Sequence, residues 1–103
     1  VGTWLDDQLA QVARDSDTSQ MLETLIGLGR YFVDAVAAAS ADVIIVSEET
    51  GWGIVPQHAS GRVFRDALGF TNQRLAHLAH RSYLVVCGYA LDLKSALPVG
   101  ELE

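Results

Sequence analysis

Residues 47 to 74 hold most of the side chains in this sequence that could do chemistry. Ser47-Glu48-Glu49-Thr50-Gly51-Trp52-Gly53 leads through Ile54-Val55-Pro56 to Arg62, Arg65, Asp66 and Asn72. Glycines let a ligand approach the backbone, and neighbouring guanidinium groups can hold a phosphate bidentately. The apolar run Val43-Ile44-Ile45-Val46 ends where the acids begin. In an open parallel sheet, a polar loop leaving the carboxyl end of a strand is where ligands collect.

Each of these residues also has an ordinary structural role. Glu48 and Glu49 are adjacent at a strand end, so their side chains point to opposite faces and at most one enters a crevice. Both could equally be solvated loop acids. Gly51 and Gly53 could adopt positive φ for a ligand or simply form a strand-to-helix turn. Arg62 and Asp66 stand i, i+4 apart, and a surface ion pair of that spacing is worth only about 0.3–0.5 kcal/mol. Arg62 with Arg65 could instead meet a phosphate. Asn72 falls between Leu68 and Leu75 on the expected inner face of its helix. There its amide must find partners, and bonding the backbone of the loop at 48 to 56 would satisfy it. This predicts a buried Asn72 that preorganises the loop. His77 and His80 have no acid or cysteine nearby to complete a metal site and read as a solvated pair. Cys87 reads as a small core residue ending a strand.

The elements that must place these groups follow from periodicity. Trp4, Leu5, Leu9 and Val12 recur at helical spacing over residues 3 to 14. Asp17, Thr18 or Ser19 can cap a second helix over about 19 to 40, in which Gly27 and Gly29 each cost about 1 kcal/mol relative to alanine. Those glycines mark a middle that is closely packed or bent. The run at 43 to 46, apolar at successive positions, predicts a strand at 42 to 47 buried on both faces. Pro56 can enter the first turn of a helix running to about His80, with Phe64, Leu68, Leu75 and Leu78 inward and a break at Gly69. Tyr83 to Cys87 reads as a second buried strand, ended by Gly88, with a short last strand near Leu91 and Leu93. Strand, helix, strand is a βαβ unit, so the strands at 42 to 47 and 82 to 87 are expected to be parallel neighbours. Two such strands cannot cover their own faces and edges, which calls for further chain or another subunit.

Composition narrows the class. The 103 residues are half apolar, enough for one small domain, and the longest apolar run falls well short of the roughly 18 residues a membrane span needs. A net charge of −6 disfavours non-specific binding of nucleic acid. One cysteine excludes an internal disulfide and suits a cytoplasmic location. No Gly-x-x-x-x-Gly-Lys-Ser/Thr occurs, so this sequence carries no phosphate-binding loop of that kind.

The order of these residues resembles the C-terminal half of the bifunctional adenosylcobinamide kinase/adenosylcobinamide-phosphate guanylyltransferase family. That family reads Asn-Glu-Val-Gly-x-Gly-Ile-Val-Pro, then Arg-x-Phe-Arg-Asp-x-x-Gly-x-x-Asn-Gln. Glu49, Gly51, Gly53, Arg62, Arg65, Asp66 and Asn72 fall on these motifs, and Glu48 replaces the asparagine. Lys94 matches a lysine closing the family's last strand. The resemblance implies a three-layer α/β fold with a parallel sheet, related to P-loop NTPases of the RecA type. This chain would supply the C-terminal βαβ part, residues 1–103, of a single domain. It implies an enzyme that phosphorylates adenosylcobinamide and transfers GMP from GTP to give adenosylcobinamide-GDP, using GTP or ATP and Mg²⁺. It also implies a homo-oligomer, a trimer in the family; the net charge and the short apolar runs predict no nucleic-acid or membrane partner. Thr3 would neighbour the nucleotide, or cap the first helix. The family's phosphate loop and guanylylated histidine lie N-terminal to these residues, so His58, His77 and His80 are not that nucleophile. The segment starting at Val1 is expected to be a piece of the longer enzyme, inactive alone. The alternative is a non-catalytic relative without a phosphate loop, serving as a binding or assembly subunit.

Overall fold

Leu5 and Leu9 lie one turn apart and bury one stripe of the first helix, α1 (Gly2–Val12). Met21 and Leu25 repeat the spacing in α2 (Thr18–Ala38), and Val63, Ala67, Leu68, Thr71 and Leu75 do so in α3 (Ala59–Leu78). The computed structural model describes residues 1–12, 18–49, 53 and 57–101. Among these the three helices meet around Leu5, Leu9, Met21, Leu25, Val63, Ala67 and Leu68, with Trp4, Leu22, Leu28 and Phe64 packed at the margin. Each leucine fully removed from water contributes about 1.5–3 kcal/mol, so this small cluster is what holds the helices together. Trp4 and Phe32 close one side with ring centroids 5.4 Å apart.

α2 and α3 are in close contact at Gly29, which is buried against Thr71. A methyl group at Gly29 would overlap the Thr71 hydroxyl, which itself donates to the Ala67 carbonyl at 2.9 Å. Close packing, one of the two expectations for the glycines of α2, therefore applies to Gly29. Gly27 faces open space. α3 runs unbroken through Gly69. Its inner stripe centres on Ala67, Leu68 and Thr71, whereas Leu78, expected inward, is exposed.

The strands depart from the sequence reading. Residues 42 to 49 form no strand, and Val43, Ile44 and Val46 are exposed, Ile44 at 92%. β1 (Tyr83–Val86) pairs antiparallel with β2 (Tyr89–Asp92), in register Val86 with Tyr89 and Tyr83 with Asp92. This hairpin is the sheet of the described residues. The expected parallel pairing of 42 to 47 with 82 to 87 is thus absent, and neither run is buried. A continuous apolar run reports that a strand is built for neighbours on every side; it cannot make those neighbours. Where no partner backbone lies alongside, the run stays unpaired. The pair that does form is the one joined by a two-residue turn. Cys87 (φ 51°) and Gly88 (φ 79°) both have positive φ, the geometry whose twist matches a tight hairpin. Cys87 is accordingly an exposed turn residue, not a core one.

The hairpin is tied to the end of α3. Lys94, in the short 3₁₀ turn Leu93–Ser95, donates through Nζ to the Ala76 and His77 carbonyls, and Ser82 Oγ donates to Ala76 at 3.3 Å. A cation on the last carbonyls of a helix satisfies groups without an intrahelical partner and meets the negative end of its dipole. A second 3₁₀ turn, Val99–Glu101, follows.

Candidate functional site

Asn72 organises the acidic segment. Its Nδ2 donates to the Glu48 carbonyl at 2.7 Å and its Oδ1 accepts from Ser47 Oγ at 2.6 Å. Helix α3 places it one residue beyond buried Thr71, at the edge of the inner stripe, and it is half-buried where the sequence predicted full burial. The amide sits at the rim because α3 turns Thr71 toward α2. Even so, both ends of the amide are satisfied by the segment it was expected to hold.

An open cleft of about 320 Å³ lies beside this contact, lined among the described residues by Gly2, Thr3, Asp6, Glu48 and Phe64. Thr3 lies inside α1, which begins at Gly2, so it is a first-turn residue and not the N-cap. Its neighbour one turn on, Asp6, shares the wall. Of the two adjacent acids, it is Glu48, which stands where the family has asparagine, that lines this cleft. Adjacent side chains diverge, and with the Glu48 carbonyl held by Asn72 it is the Glu48 side chain that meets α1.

The remaining candidates are more dispersed. Arg62 is exposed and its Nη1 donates to the Gln57 carbonyl at 3.1 Å, back across the start of α3. Arg65 is half-buried and Asp66 exposed on the same helix. Gly53 is exposed, and no atom of the described residues lies within 4 Å of where its Cβ would be. Gly51 lies outside the described residues, as do Trp52 and Pro56. His77 and His80 are exposed near the end of α3, and no group of three acids, histidines or cysteines among the described residues could hold a metal ion. Asp6 and Ser47 were missed by the sequence reading. Asp6 was discoverable, because it stands i, i+3 from Thr3 on one helix face. Ser47 had no comparable signal, since its hydroxyl acquires meaning only through Asn72, 25 positions away.

Comparison with known proteins gives this arrangement a family. Residues 1–93 match the family described as cobinamide kinase / cobinamide phosphate guanyltransferase, CobU. The chain belongs to this family. It is 42% identical over 65 residues to the bifunctional adenosylcobalamin biosynthesis protein CobU of Salmonella typhimurium, a stretch covering 63% of this chain and 36% of that protein. It is 40% identical over 62 residues to the protein of the same description from Escherichia coli, covering 60% and 34%. The matching stretch of the chain covers only about a third of the length of these curated CobU relatives. The cleft residues Gly2, Thr3, Asp6, Glu48 and Phe64 all fall within the part that matches the CobU family.

Proposed function

We propose that this chain is the C-terminal portion of a cobalamin-biosynthesis enzyme that phosphorylates adenosylcobinamide and then transfers GMP from GTP, giving adenosylcobinamide-GDP. The observation that carries this reading is the CobU family match across residues 1–93. The enzyme works as a cytoplasmic homo-oligomer, a trimer by family resemblance. Within it, Thr3, Glu49, Gly51, Gly53, Arg62, Arg65, Asp66 and Asn72 belong to the surroundings of the nucleotide and substrate. Thr3 and Glu48 are the pair for which the geometry gives most support, because they share the cleft.

The same reading accounts for the exposed apolar segment. In the complete enzyme, residues 42 to 47 and the hairpin join a three-layer sheet, with the phosphate-loop half supplying the neighbouring strands. Ile44 and Val46, now exposed, would be covered.

Phosphoryl transfer depends on positioning and charge neutralisation around the phosphates. The described residues hold no group of three acids, histidines or cysteines that could cage Mg²⁺. GTP or ATP would be held through the phosphate loop of the other half, which this sequence lacks. The 103 residues alone are therefore inactive. Incubating the purified chain, and the complete gene product, with adenosylcobinamide, Mg²⁺ and GTP tests this. Conversion is expected with the complete product only. Turnover by the 103 residues alone would refute their inactivity, and no conversion by the complete product would refute the assigned function.

A further inference from the structure

The Glu48 carboxylate lies against the first residue of α1. A Cβ built on Gly2 would come within 2.5 Å of Glu48 Oε2 and 3.0 Å of its carboxyl carbon, so a side chain at position 2 would displace the carboxylate from this place. A carboxylate at the start of a helix is favoured by the partial positive charge there. A glutamate side chain has several rotatable bonds, however, and its carboxylate stays in one place only if its backbone is fixed. Asn72 provides that fixing from the other side. It spends both ends of its amide on consecutive residues, accepting from Ser47 Oγ and donating to the Glu48 carbonyl.

We propose that Ser47 and Asn72 form a clamp that holds the Glu48 carboxylate over the first turn of α1, and that Asn72 is a positioning residue of the cleft. α3 thereby sets the position of an acid on the cleft wall beside Thr3 and Asp6. The functional weight of the clamp rests on the cleft belonging to the ligand site proposed above; the clamp itself does not.

Nuclear magnetic resonance on the isotopically labelled 103-residue chain reads the contact directly, as the dipolar cross-peak between the Gly2 α protons and the Glu48 side-chain protons. Asn72→Leu is expected to abolish that cross-peak and shift the Ser47, Glu48 and Glu49 amide signals, with the helical circular dichroism retained. Ser47→Ala, a change at an exposed position, should weaken the same cross-peak. Gly27→Ala, facing open space, should leave it unchanged. Persistence of the cross-peak in folded Asn72→Leu and in Ser47→Ala would overturn the clamp. If Asn72→Leu does not fold, Ser47→Ala decides alone: a weakened cross-peak supports the clamp and an unchanged one overturns it. The measurement uses no nucleotide or cobinamide, so its failure is separate from any failure of the proposed activity.

Discussion

Glycines of one helix show how position decides the value of a residue. Gly27 and Gly29 cost α2 the same propensity, but only Gly29 is needed, because Thr71 occupies the place its side chain would fill. Gly27→Ala is expected to stabilise the chain by about 1 kcal/mol, as alanine replaces glycine in an exposed helix interior. Gly29→Ala should destabilise it by about 1–3 kcal/mol, the usual range for forcing extra volume into a packed contact. Urea unfolding followed by circular dichroism measures both, and equal effects at the two sites would contradict the close approach. Cys87 is the second case. Its φ of 51° places a residue with a Cβ in the left-handed region, which costs roughly 1–2 kcal/mol and which asparagine tolerates better. Cys87→Asn should therefore slow amide hydrogen exchange at Val86 and Tyr89. Faster exchange would show that the turn is not of this type.

Helices dominate at the level of elements, because their apolar stripes find each other within the chain. α1, α2 and α3 bury Leu5, Leu25 and Leu68 completely, and each stripe follows the 3.6-residue period. The hairpin is different: its residues are largely exposed, and among the described residues the side chains tying it to α3 include Lys94, on Ala76 and His77, and Ser82, on Ala76. Lys94→Met keeps the aliphatic stem and removes the donor. It should lower global stability by no more than about 1 kcal/mol, since the contact is exposed. Its larger effect should be local, with faster exchange of the amides from 83 to 92 and little change in α1 or α2. Uniformly faster exchange along the chain would mean that the hairpin unfolds only with the helices.

At the scale of the whole molecule, the unpaired segment at 42 to 47 and the open hairpin leave apolar surface that a longer chain or a partner would cover. Ile44 is 92% exposed and Val46 81% exposed. Apolar backbone of this kind invites pairing with another chain. Ile44→Lys in the isolated 103 residues should reduce self-association in light scattering and change unfolding stability by less than about 0.5 kcal/mol, as expected for an exposed site. A large loss of stability would show that Ile44 packs within this chain.

The sequence by itself determined the helices, the family and the bond between Asn72 and the acidic segment. These follow from local periodicity, from motifs that survive in order along the chain, and from the need of a polar amide near an apolar stripe to find a partner. Tertiary structure decided the rest. It alone showed that the Glu48 carboxylate meets α1 at Gly2, because the direction of a side chain at the end of a segment depends on how its backbone is held. It also decided that β1 pairs with β2 and not with residues 42 to 47. An apolar run specifies how much surface a strand must bury, while its neighbour and direction depend on which backbone is within reach. For β1 that backbone is two residues away, across Cys87 and Gly88.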